Sequence, residues 1–233
     1  MAKKKAEKTA DKELLEKIHE RFTAMTEADE RNRDAAMADM KFTNVPGEQW
    51  DENMKVERGD RPCYEFNKLR ITCKRIINEM RANRPQGKVR GVEDSDKDTA
   101  DVYEGLIRNI WNNSDGDTVI DTAAEYQVSG GMGAWRIATK YATENTFDQD
   151  IVLEEIQNPF CLFSDPSAKD QLKRDADDWI LTEKISNDSF KARWPKAKVV
   201  TFEDTEFDDD EAWQDEETTR ICEYWYHIPS TKE

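Results

Sequence analysis

The apolar pattern of this chain changes period at "SGGMGAWRIATKY", residues 129–141. Upstream, apolar residues recur every three or four positions. Beyond Gly133, Trp135, Ile137, Thr139 and Tyr141 alternate with Ala134, Arg136, Ala138 and Lys140. The first spacing lines one side of a helix and the second lines one side of a strand, so a helical first half must hand over to a β-rich second half at the glycines. The fold class that follows is α+β: long N-terminal helices, then a mostly antiparallel β-rich region.

Within the helical half, Leu15, Ile18, Phe22 and Met25 give one long helix a narrow apolar stripe. Residues 44–62 hold Pro46-Gly47 and Gly59 to Pro62 and read as a loop anchored by Trp50. A second helix places Phe66, Leu69, Cys73, Ile76 or Ile77, and Met80 on one face and ends at Asn83-Arg84-Pro85. A third, from about Lys97 to Asn112, presents Tyr103, Leu106, Ile107, Ile110 and Trp111 as a broad apolar face. Asp117 is placed to cap a fourth helix, which stops at Gly130, the residue expected in the left-handed conformation.

In the β-rich half, "IVLEEI" reads as a hairpin partner of the Trp135 strand. "NPFCLFSDPSAKD" gives a short strand and an Asp165-Pro166 turn, "DDWILTEKI" carries Trp179 on a further strand, and "SNDSFKARWPKA" is a short helix closed by Pro195. "VVTF" is a strand remnant before an acidic loop. The last strand, "TRICEYWYHI", is apolar on both faces, a pattern of strands covered on both sides. Lying so near the end of the chain, it leads to the expectation that this is the N-terminal portion of a longer protein.

Of 233 residues, 37% are charged and 36% hydrophobic, and the net charge is −16, so duplex DNA is not attracted by the overall field. No apolar run reaches the roughly eighteen residues of a membrane span, and the N-terminus lacks the apolar segment of a secretory signal. A soluble protein assembled in a reducing cytoplasm follows. Cys63, Cys73, Cys161 and Cys222 show no ligand spacing and read as buried free thiols. His19 and His227 are the only histidines, too few for a histidine-based triad or zinc centre.

Three stretches imitate chemistry. A dinucleotide fingerprint needs a third glycine where Arg136 stands, and it needs a helix after the glycines, where this chain has a strand. Asp94, Asp96 and Asp98 imitate a calcium loop, but Thr99 occupies the position of the sharp-turn glycine and Gly105 that of the bidentate glutamate. The acidic run 203–217 holds consecutive carboxylates that diverge from one another and reads as a solvated loop, and Lys3, Lys4, Lys5 and Lys8 form a basic tip expected to be a disordered end with no specific contact. The residues thus point to no catalytic, cofactor or metal site. They leave a structural or interaction module, with a metal-dependent nucleic-acid enzyme or a phage or host adaptor module as the alternatives.

Four stretches resemble the portal proteins of short-tailed bacteriophages over about residues 21–229: "FNKLRITCKRIINEMRANRPQGKV", "SGGMGAWRIATKY", "LFSDPSAKDQLKRDADDWILTEKI" and "ICEYWYHIP". The second is the most specific, matching the family's Gly-x-Gly-Ala-Trp-Arg turn and strand. The resemblance implies a non-enzymatic subunit of a homo-oligomeric ring, usually a dodecamer, at one vertex of the virion capsid. Its implied partners are terminase, capsid or scaffolding proteins, tail or head-completion proteins, and double-stranded DNA passing without sequence-specific binding. No cofactor and no membrane are implied. The expected parts are an N-terminal helical arm (1–45), the helical part of the portal wing (46–130) and its β-rich part (131–233), ending before the stem, clip and tunnel segments. Gly130, Gly131, Gly133, Trp135 and Arg136 are then a structural corner with Trp135 as packing anchor. Asp165, Pro166 and Trp179 form the turn-and-strand motif.

Overall fold

The computed structural model describes residues 2–84, 87–91, 96–197 and 217–228, with side chains from residue 13 onward. It is α+β, and the order of elements follows the change of period. Helices α1 (Ala2–Asn44), α2 (Glu52–Arg58), α3 (Lys68–Ala82), α4 (Lys97–Asn113) and α5 (Gly116–Gly130) come first. Strands β1 (Trp135–Tyr141), β2 (Gln149–Glu155), β3 (Leu162–Ser164) and β4 (Asp178–Ser186), helix α6 (Asn187–Arg193) and strand β5 (Thr218–Tyr226) follow.

The chain divides into two compact units, one of residues 1–31 with 160–233 and one of residues 32–159. These divisions fall at 31/32 and 159/160, whereas the three blocks drawn from the sequence divide at 45/46 and 130/131.

The first unit is a three-stranded antiparallel sheet in the order β3-β4-β5, covered by the N-terminal part of α1. Phe22, Met25, Phe163 and Ile180 form its core, edged by Ile18, Cys222 and Tyr224. The Phe22 and Phe163 rings meet edge to face at 4.8 Å, a favoured aromatic geometry. Among the described residues the two apolar faces of β5 are only partly covered. Cys222 and Tyr224 edge the core, while Trp225 and Tyr226 are exposed.

In the second unit, α5 packs against α3, α4, β1 and β2. Its small residues allow this: Gly116, Ala123 and Ala124 are buried with Val119. β1 and β2 form an antiparallel hairpin ribbon in which Trp135 opposes Glu155, Arg136 opposes Glu154 and Ile137 opposes Leu153.

Several boundaries differ from expectation. Residues 46–62 are not all loop: Asp51 accepts the amide of Asn53 and starts α2, and Gly59, at φ 57°, ends it. Trp50 is half-buried, its indole N–H donating to the carbonyl of Tyr64 at 3.2 Å beneath the Arg58 guanidinium. α3 starts only after Asn67, whose side chain accepts the amide of Arg70, so Phe66 falls outside the helix and is 82% exposed. Asp117 is not the cap of α5. The helix begins two residues earlier, after left-handed Asp115, and Asp117 instead accepts the indole N–H of Trp111 at 2.9 Å and pairs with Arg84. The broad face of α4 stays largely uncovered, with Tyr103, Leu106 and Ile107 exposed. The "VVTF" segment lies outside the described residues.

Candidate functional site

The glycine cluster uses each of its members differently. Gly131, not Gly130, takes the left-handed conformation (φ 78°), and its amide donates to the carbonyl of Gln127 at 2.9 Å to close α5. Glycine accepts this geometry without a Cβ clash, and nothing lies within 4 Å of where that Cβ would stand. Gly130 is still helical, and a Cβ there would meet the Met40 side chain of α1 at 2.8 Å. Gly133 is the tightest. A Cβ on it would overlap the carbonyl oxygen of Ala123 and lie 2.8 Å from the carbonyl carbon, so the corner backbone rests directly on α5.

That contact orients the strand that follows. The pleat sends Arg136 and Ala138 to the more covered side of the ribbon and Trp135, Ile137 and Tyr141 to the other. Trp135, expected as the packing anchor of the corner, is 40% exposed. Arg136 donates from Nε to Glu154 Oε2 at 2.7 Å, and Lys140 Nζ holds Glu154 Oε1 at 2.8 Å. The Lys140 hydrogen bond lowers the Glu154 pKa most; burial opposes it and Arg136 assists.

The Asp165-Pro166 turn holds a second constellation, confined to the first unit. Asp165 is 2% exposed at the end of β3 and accepts the Ser167 amide at 2.9 Å, the Ser167 hydroxyl at 2.8 Å and the Asp177 amide at 3.3 Å. Asp178, 4% exposed, begins β4 and receives the Arg21 guanidinium through Nε at 2.6 Å and Nη2 at 2.5 Å. Nη2 also reaches Asp165 Oδ1 at 3.1 Å, and the Tyr224 hydroxyl donates to Asp178 Oδ2 at 3.0 Å. One forked cation thus ties α1 to the ends of two strands. Pro166 is exposed, and half-buried Trp179 lies opposite Ser164 and Trp225 in the sheet, outside this network.

Burial alone would push the Asp165 carboxyl up. The Ser167 amide and hydroxyl, the Asp177 amide and Arg21 outweigh it and bring the pKa down to about 2. Burial, and then donation to Asp178, push Tyr224 up to about 12. Hydrogen bonding to Asp178 foremost raises the Arg21 pKa further still. None of these three groups exchanges a proton near neutral pH, so they hold the sheet and helix together and offer no general acid or base.

Arg21, Asp178 and Tyr224 escaped the sequence reading, although one signal was available. Arg21 follows Ile18 by three positions and precedes Met25 by four, which places a charge within the apolar stripe. Among the described residues no group of three or more His, Cys, Asp or Glu side chains could hold a metal ion, and no helix is long and apolar enough to cross a membrane. Asp96 and Asp98 lie at the start of α4; Asp94, the acidic run 203–216 and the N-terminal lysine side chains lie outside the described residues. The four cysteines are free and half-buried, and burial raises the Cys222 pKa.

Comparison with known proteins brings one family forward. The family model for phage P22-like portal protein matches residues 19–233. A curated portal protein of Acyrthosiphon pisum secondary endosymbiont phage 1 is 30% identical over 230 residues, an alignment covering 91% of this chain and 32% of the relative. The chain therefore spans about a third of that relative's length.

Proposed function

Because the chain belongs to the phage P22-like portal protein family, we propose that it forms part of a portal ring at the capsid vertex, as a structural subunit without enzymatic chemistry. In this reading the ring forms the channel for genome packaging and ejection and the docking site for terminase and tail. Its other partners are capsid or scaffolding proteins and the passing duplex, and its working place is the virion after assembly in the host cytoplasm.

The observation that carries the reading is the family match, which spans residues 19–233 and so takes in helices, glycine corner and β-rich half. Residues 1–45 serve as the N-terminal arm, 46–130 as the helical wing and 131–233 as its β-rich part. Gly130, Gly131, Gly133 and Arg136 set the corner, with Trp135 on its outer side. Asp165, Pro166 and Trp179 set the turn and strand. The geometry is in keeping with a structural role: the two constellations close backbone gaps and neutralise charge, and through neutral pH Asp165 stays ionised and Tyr224 stays neutral.

Electron microscopy tests this on a protein extended to the length of the curated relative. Closed rings with a central channel are the expected images. A longer protein that forms no ring removes the proposal.

A further inference from the structure

We propose that the tip of the β1–β2 ribbon of one copy docks on the basic face of α3 in a second copy, head to tail. The inference rests on the reading of the chain as a self-assembling subunit and adds the surfaces through which copies meet. Both surfaces belong to the unit of residues 32–159.

α3 buries only Ile77, and Cys73 is half-buried one turn away. The far side of the helix carries Ile71, Lys74, Asn78, Ala82 and Asn83 around an open depression, together with Arg75 paired to Glu79 at 3.3 Å, and Lys68 stands one turn before. Lys68, Arg70 and Lys74 are exposed and form no ion pair among the described residues, and Ile71 is exposed beside them. In a chain of net charge −16, this is a local concentration of positive charge around an apolar centre.

The ribbon carries the complement. Phe147, in the turn between β1 and β2, is 95% exposed, and Tyr141 and Ile151 continue the apolar surface on the outer face. Around the tip stand Glu144, Asp148 and Asp150, all exposed and without an ion pair among the described residues. Asp150 lies opposite Lys140 in the hairpin, but that ammonium is held by Glu154.

Charge decides the geometry of the contact. A symmetric contact through either surface would face lysine with lysine or carboxylate with carboxylate, whereas the head-to-tail contact joins opposite charges around an apolar centre. A polyanion such as nucleic acid would answer Lys68, Arg70 and Lys74 but would leave Phe147 and the carboxylates of the tip without a partner. A second copy answers both.

Charge exchange tests this by sedimentation velocity on the 233-residue chain, with circular dichroism and melting to verify that each variant folds. Reversing α3 (Lys68→Glu with Lys74→Glu) or reversing the tip (Glu144→Lys with Asp148→Lys) should each weaken self-association by roughly tenfold or more. Mixing the two variants should restore it, because every contact in an alternating assembly again joins opposite signs. Variants that associate like the wild type, or a mixture that fails to recover, overturn the docking surfaces and leave the ring reading to the microscopy of the longer protein. A wild-type chain that stays monomeric at every concentration also overturns them. Binding of a labelled single-stranded oligonucleotide that the α3 reversal abolishes, with self-association unchanged, would give this face to a polyanion and overturn the proposal.

Discussion

The two units reach a packed interior by opposite means. The first fills a gap between α1 and the sheet with large groups: the Phe22 and Phe163 rings, Met25, and a guanidinium whose charge is answered by Asp165 and Asp178. The second closes the gap by leaving atoms out, so that Gly133 rests on the carbonyl of Ala123 and Gly130 rests on Met40. One unit should therefore fail when a group is removed, and the other when a group is added. Interiors packed without voids respond to changes of either sign, but through different terms: unanswered charge in one, overlap in the other.

Removing the cation of the first unit should have the largest effect. Arg21→Ala leaves Asp165 and Asp178 buried without their cation and is expected to cost about 3 kcal/mol or more in urea denaturation followed by tryptophan fluorescence. An unchanged midpoint would show that the network does not hold α1 to the sheet. The matching addition in the second unit is Gly133→Ala, which drives a methyl group into backbone that cannot turn aside; about 2 to 3 kcal/mol is expected by the same measurement.

Acid should separate the units without any substitution. The folded pKa of Asp165 is about 2, below its unfolded value, so its contribution is fully present above about pH 4 and disappears as the pH falls through 2. The linkage is worth about 2 kcal/mol, and a shallower acid limb in the melting temperature of Asp165→Asn is the expected sign. At the alkaline end the sign is reversed. Tyr224 has a folded pKa of about 12, raised above its unfolded value, so its contribution is present below about pH 10 and fades toward 12.

Smaller changes sharpen the contrast within the second unit. Gly131→Ala meets no neighbour and adds only the strain of a left-handed residue, about 1 kcal/mol. A cost equal to that of Gly133→Ala would mean that backbone conformation, and not close approach, governs the corner. Arg136→Lys should change the melting temperature least, by the equivalent of about 0.5 kcal/mol, because Lys140 continues to hold Glu154.

Much of this arrangement is legible in the sequence because it is local. The change of period at Gly133 marks where helix becomes strand, and alternation along β1 places Arg136 and Trp135 on opposite sides. Alternation cannot say which side is covered: close packing of Gly133 against Ala123 makes that choice, and Ala123 gives no sign of it. α2 was hidden by the turn residues that bracket it, although Asp51 ahead of "ENMKVER" is an adequate start signal. The network was hidden by distance, since Arg21 and Asp178 are 157 positions apart and only the folded sheet brings Asp165 and Asp178 side by side.

That separation also bears on the order of events during synthesis. Residues 32–159 are contiguous and hold their own partners, so this unit can fold as soon as it clears the ribosome. The other must keep Phe22, Met25 and Arg21 waiting until β4 and β5 have been translated, because its contacts close a loop of more than a hundred residues. The apolar stripe of α1 is thus the part of the nascent chain exposed longest, and the stretch that a chaperone would have the most time to hold.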